Sequence, residues 1–142
     1  MKEIISMKQY VLGAVVTTVI AFATAFIWHL VLFQKLYTDL GVIGRIEPII
    51  PLGFVGTIAL SLVLAHLYPK IISQEDNSPF RGGVRFGITI GVLNIIFWVV
   101  KFAATQPLTS IPMFMAIEST FELLQLTLMG IALGFVYRRK EG

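Results

Sequence analysis

Four long stretches of apolar residues constrain the fold of this chain more than any other feature. They cover about 11–33, 49–68, 84–104 and 111–137, and each is long enough to cross the roughly 30 Å hydrocarbon core of a bilayer as a helix. Only 13% of the residues are charged, whereas a soluble domain usually has about 25%. Water could not solvate the outside of such a globule, so lipid is the medium that suits this surface.

The stretches predict an all-α fold, because backbone polar groups in lipid need partners within the protein and no alternating barrel pattern is present. We predict a four-helix transmembrane bundle of two antiparallel hairpins, forming a single integral membrane domain over 1–142. Pro107 and Pro112 indicate a tight turn between the third and fourth helices. Ser78 and Pro79, after a polar loop over 73–77, are typical of a helix N-cap and first helical residue.

Lysine and arginine are distributed unevenly between the two ends of the predicted bundle. This predicts that both termini are cytoplasmic, in a bacterial inner membrane. The basic residues lie at segment ends, as in membrane proteins generally, so they do not indicate nucleic-acid binding. The end with the termini carries Lys2, Lys8, Lys70, Arg81, Arg85, Arg138, Arg139 and Lys140, and the other end carries Lys35, Arg45 and Lys101.

The last apolar stretch contains a polar stripe. Glu118, Glu122 and Gln125 are spaced i, i+4 and i+7, which places them on one face of the fourth helix. Acidic groups are costly inside a bilayer, and they usually mark a function or a specific structural contact.

Other polar residues reach similar depths when each helix rises about 1.5 Å per residue. Asn94 lies level with Glu122, while His29 and Lys101 lie near the level of Glu118. Asn94 and Lys101 are seven residues apart, so a regular helix presents both on one face. We therefore predict a polar seam between the first, third and fourth helices, in which Asn94 hydrogen-bonds a protonated Glu122. Lys101 either pairs with Glu118 or, because it lies so near the helix end, extends to the outer interface.

Two interpretations of the seam are open at this point. It could bind a proton, an ion or a small solute, or it could serve as a set of interhelical hydrogen bonds that fixes the helix register. Small residues recur every four positions and predict close helix packing, either within the chain or against another subunit. These residues are Gly83, Gly87 and Gly91 in the third helix and Gly130 and Gly134 in the fourth.

Familiar catalytic and metal-binding patterns are missing from the sequence. The chain has no cysteine, no phosphate-binding glycine loop and no HExxH motif, so we predict no enzymatic activity, no metal site and no cofactor. A haem or pigment carrier is an alternative, with His29 or His66 as a single ligand. The two histidines lie at different depths and could not easily hold the same iron.

The segment 28–33, Trp-His-Leu-Val-Leu-Phe, is followed by Lys35-x-Tyr37 and by Leu40-Gly41. This pattern resembles the end of the first helix in small bacterial four-helix membrane proteins that are classed as a domain of unknown function. The likeness extends over the whole length, including the acidic last helix. It implies a fold and a membrane location but no chemistry.

The function predicted from these features is that of a small structural or accessory subunit, which acts through helix packing in a membrane complex. Its partners would be the bilayer and other membrane subunits or a second copy of the chain. The alternatives are a small-solute or proton-coupled transporter that uses the polar seam, and the haem or pigment carrier described above.

Overall fold

A computed structural model of the chain describes residues 6–42, 44, 47, 49–72 and 78–138, and its regular structure within these ranges is helical. The predicted loop residues 73–77 and the basic residues Lys2, Arg45, Arg139 and Lys140 lie outside the described residues. The helices are α1 (Met7–Phe26), continued by a π-helical segment π1 (Ile27–Leu32); α2 (Gln34–Asp39); α3 (Ile50–Ile71); α4 (Pro79–Asn94), continued by a π-helical segment π2 (Ile95–Val99) and by α5 (Val100–Thr105); and α6 (Ile111–Val136).

Four of these helical stretches are long and apolar enough to cross a membrane, which confirms the predicted fold class. The third starts at Pro79 rather than near residue 84. The side chain of Ser78 accepts a hydrogen bond from the backbone N–H of Arg81 at 3.3 Å, so this residue caps the helix and fixes its start. The four spans are Met7–Leu32, Ile50–Ile71, Pro79–Thr105 and Ile111–Val136.

The first two spans form an antiparallel hairpin. Phe22 on α1 meets Phe54 on α3 with ring centroids 5.7 Å apart, and Gly13, near the start of α1, faces Ala65, near the end of α3. The second hairpin, α4 with α6, is also antiparallel and is the most extensive contact in the molecule. The hairpins join where α1 packs on α6.

Glycines bring α4 and α6 into close contact. A Cβ atom added to Gly83 would lie 2.5 Å from Ile131 Cα, and one added to Gly91 would lie 3.0 Å from a side-chain atom of Leu123. The backbones therefore approach too closely for a larger residue at these points. Every glycine predicted for packing faces the opposite helix of this hairpin: Gly83, Gly87 and Gly91 on α4, and Gly130 and Gly134 on α6.

The two ends of the bundle differ in character. The terminal end, defined by Ser6 and Arg138, is closed by Tyr137, which stacks on Tyr68 at 5.7 Å and donates a hydrogen bond to Ala65 O at 2.8 Å. The opposite end, called the α2 end, is covered by α2 and by the turn between α5 and α6.

The α2 helix is anchored to the bundle by apolar contacts and by backbone hydrogen bonds. Tyr37 and Leu40 are buried against Val99 and Phe114, and Thr109 N donates to Leu40 O at 3.1 Å. These contacts fix α2 over the end of the bundle, where the first, third and fourth spans meet.

Candidate functional site

A buried polar group lies in the half of the bundle nearer α2. Glu118 and Glu122 lie about 10 Å and 16 Å along α6 from Ile111, and their exposed fractions are only 6% and 7%. Their polar neighbours come from three other parts of the chain. We call the set the carboxylate cluster, and it consists of His29, Tyr37, Asn94, Glu118, Glu122 and Gln125.

Glu118 is held by two side chains from the first span and from α2. The hydroxyl of Tyr37 donates to Glu118 Oε2 at 2.5 Å, and His29 Nε2 lies 3.4 Å from the same oxygen. Trp28 Nε1 in turn donates to the Tyr37 hydroxyl at 3.1 Å. Burial, together with the hydrogen bond to Glu118, raises the pKa of Tyr37, so its hydroxyl remains a neutral donor.

The position of one hydrogen on His29 follows from its contacts. Its Nδ1 atom lies 3.1 Å from Ala25 O, and a carbonyl oxygen can only accept, so Nδ1 carries a hydrogen. The contact between His29 Nε2 and Glu118 Oε2 then needs one further proton. This proton belongs either to an imidazolium facing a carboxylate or to a carboxylic acid facing a neutral imidazole, and in both cases the pair as a whole is neutral.

Glu122 has a different environment one helical turn along. Asn94 Nδ2 donates to Glu122 Oε2 at 2.6 Å, which is the contact that the depth estimate predicted. The ion pairs among the described residues are His29–Glu118 and Lys35–Asp39, so Glu122 has no such partner there. A buried carboxyl without a counter-ion is most stable when neutral.

Gln125 connects the cluster to the first span. Its Nε2 donates to Ala21 O at 2.9 Å and to Thr24 Oγ1 at 2.8 Å. These bonds fix the register of α6 against α1, which is the structural role that polar residues often have between membrane helices.

Lys101 is not part of the cluster, so the predicted pairing of Lys101 with Glu118 is wrong. The residue is exposed, and its ammonium lies 5.7 Å from the ring centroid of Phe97. The reason is π2, which separates Asn94 from Lys101. A π-helical turn takes in an additional residue and so rotates the following helix by about 100°, which turns Lys101 away from the face that carries Asn94.

Both π-helical segments adjoin the cluster. His29 lies within π1, and Asn94 is the residue immediately before π2. Such segments are rare and often occur at functional sites, because the wider turn changes the direction of side chains. Neither segment was predicted from the sequence, which has no proline or other local marker at either point.

Tyr37 is the cluster member that sequence reasoning missed. In the sequence it stands only in the Lys35-x-Tyr37 pattern after the first apolar stretch, and no role in the polar seam was predicted for it. The sequence offers no local signal for this role, because Tyr37 reaches Glu118 only through the packing of α2 on the bundle.

No protein-family model, no curated protein and no solved structure matches this chain. The resemblance to small bacterial four-helix membrane proteins is therefore supported only by the four apolar helices. Any functional conclusion rests on the chemistry of the cluster itself.

That chemistry gives little support to a metal or haem site. The described residues contain no group of three His, Cys, Asp or Glu side chains placed to hold one metal ion. Both ring nitrogens of His29 already have partners. His66 lies near the end of α3, with its Nε2 2.6 Å from Lys70 Nζ. It is therefore at the terminal end of the bundle, away from the carboxylate cluster. Holding and moving protons is the chemistry that the cluster residues fit best.

Proposed function

We propose that this chain is a small proton-coupled membrane protein whose carboxylate cluster binds and releases protons within the bilayer. The observation that carries the proposal is the buried contact of 3.4 Å between His29 Nε2 and Glu118 Oε2, a pair that needs one proton between its two groups. With a second proton on Glu122, the whole cluster is neutral, which is the favoured state in a medium of low dielectric constant. Imidazole and carboxyl groups are also those that exchange protons most readily near neutral pH.

We infer that protons reach the cluster from the α2 end, because His29 lies three residues from the end of the first span. The side chain of His29 is 31% exposed, whereas that of Glu118 is 8% exposed. A proton would therefore reach Glu118 through His29, while Tyr37 covers the carboxyl from the other side.

The path toward the terminal end is closed in this conformation. Beyond Glu122 and Gln125, α6 presents Leu126, Met129 and Leu133, which are at most 3% exposed. A layer of packed apolar side chains does not conduct protons, so the arrangement favours a proton carrier that changes conformation over an open channel. The release of protons on the second side would need a change in helix packing, which is typical of transporters.

Proton binding by the cluster can be tested with infrared difference spectra of the purified protein, recorded between acidic and alkaline buffers. We expect a carboxylic C=O band that changes with pH and that is lost or shifted in Glu118→Gln and in Glu122→Gln. Asp39→Asn is the matched control, since Asp39 is an exposed carboxylate paired with Lys35 at 2.6 Å. A spectrum with no such band, or a band that only the control removes, would overturn the proposal.

Proton movement can be tested in vesicles that contain a pH-sensitive dye. The native protein and Asp39→Asn should dissipate an imposed pH gradient faster than either glutamine variant. Equal rates for all four proteins, with similar amounts of protein inserted, would contradict proton movement through the cluster.

A structural role in a larger membrane complex is the second candidate. The half of α3 nearer the α2 end favours it. A Cβ added to Gly53 or Gly56 would meet no atom of the described residues within 4 Å, so this face of α3 is free to pack against another subunit. Purification in a mild detergent decides this candidate. A co-purifying subunit that is lost in Gly56→Leu would support it, and a lone monomer would exclude it.

A further inference from the structure

A groove at the terminal end lies outside the carboxylate cluster and is not used by the proposed function. It runs between the start of α1 and the end of α6. Its base is fixed by a hydrogen bond from Gln9 Nε2 to Val136 O at 3.3 Å. The lining residues are Lys8, Gln9, Leu12, Phe135, Val136 and Arg138.

The groove combines positive charge with apolar surface. Lys8 and Arg138 are exposed, and neither belongs to the ion pairs that the described residues form. Leu12 and Phe135 are 52% and 48% exposed, so an apolar strip continues from the two cations along the helices. A ligand that fits must be anionic at one end and apolar along its length.

We infer that this groove binds one anionic phospholipid. The phosphate would lie between the ammonium of Lys8 and the guanidinium of Arg138, because both groups bind phosphate and arginine can do so through two parallel hydrogen bonds. The acyl chains would cover Leu12 and Phe135. A soluble anion would satisfy the two charges but leave this apolar strip uncovered, and a basic pocket between membrane helices is where lipid headgroups bind.

The test is native mass spectrometry of the full-length protein in detergent, with phosphatidylglycerol and phosphatidylcholine of identical acyl chains supplied in equal amounts. We expect the native protein to retain phosphatidylglycerol in preference to phosphatidylcholine. The double variant Lys8→Gln/Arg138→Gln should lower that preference by about tenfold, since each basic group contributes attraction to an anionic headgroup. The charge-conserving variant Lys8→Arg/Arg138→Lys should keep most of it.

A second double variant separates the groove from the general positive charge of this end. Lys70→Gln/Arg81→Gln removes the same charge from α3 and α4, which do not line the groove. It should retain the lipid preference of the native protein. An equal loss in both double variants, an unchanged preference in Lys8→Gln/Arg138→Gln, or no preference in the native protein would overturn the inference.

Discussion

Polar side chains within the spans are matched to partners rather than left facing lipid. Thr17 donates to Gly13 O at 2.7 Å, and Gln125 and Asn94 donate across helix interfaces. Among the described residues, Ser61 Oγ is the buried side-chain polar atom that lacks a partner. The matching is expected, because an unsatisfied polar group in hydrocarbon costs free energy that few other contacts could offset.

Tyr37→Phe tests how the hydroxyl over Glu118 contributes to stability. The change leaves Trp28 Nε1 without its acceptor and removes a donor from a buried carboxyl. We expect the free energy of unfolding to fall by about 1–3 kcal/mol. Thermal unfolding in detergent measures it, with Tyr10→Phe as control because no hydrogen bond of the Tyr10 hydroxyl occurs among the described residues. Equal effects of the two variants would show that the hydroxyl over Glu118 has no special role.

Tyr137 predicts a stability change at alkaline pH. Burial, with a smaller contribution from Tyr10, raises the pKa of Tyr137 from 10.0 to about 12. The folded state therefore favours the neutral phenol. The stabilisation is complete below pH 10 and is lost as the pH rises to about 12. The unfolding temperature of the native protein should fall more steeply over this range than that of Tyr137→Phe, and parallel pH profiles would contradict this assignment.

The helices that were predicted from hydropathy are present, and most contacts in the site follow from their depth. Asn94 could be placed because α4 is regular up to that residue, and His29 could be placed because only two residues of π1 precede it. Lys101 could not, because π2 lies before it and no proline or other local marker in the sequence predicts that segment. Tyr37 was missed for a similar reason, since α2 is short and folds back over the bundle only through tertiary contacts.

The glycine contacts between α4 and α6 give a prediction for helix packing. In Gly83→Ala, the new Cβ would meet Ile131 Cα at 2.5 Å, so the helices must separate. We expect a loss of about 1–3 kcal/mol in the free energy of unfolding. Gly56→Ala is the matched control, because it meets no neighbouring atom within 4 Å and gains helix propensity. A destabilisation in the control as large as that in Gly83→Ala would argue against a specific role for this interface.

The molecule as a whole has the surface of a membrane protein, with large apolar side chains exposed on every span. Examples are Val19, Leu52, Phe97 and Phe135, which are between 48% and 73% exposed. The fourth span is the most buried and the second is the least buried. This order explains why α6 carries the costly acidic residues: it is the span with the most protein around it.

The absence of cysteine allows a direct test of orientation, because any introduced thiol is the only one in the chain. Met7 and Thr38 are exposed at opposite ends of the bundle. The distribution of basic residues predicts that, in intact cells, a membrane-impermeant maleimide labels Thr38→Cys but not Met7→Cys. Met7→Cys should react after the membrane is permeabilised. The reverse pattern would place the termini outside.

The interleaved glycines have a mechanical consequence. Because their backbones are in close contact at these glycines, α4 and α6 cannot slide past each other and move together as one rigid body. This body carries Asn94, Glu118 and Glu122. His29 belongs to the other body, built on α1 and α3, whereas Tyr37 on α2 is anchored on Val99 and Phe114 of the first body. If the two bodies rock against each other, the bond between Asn94 and Glu122 survives and Tyr37 stays on Glu118, while His29 withdraws from Glu118. Glu118 would then lose its basic partner, and Glu122 would keep its surroundings.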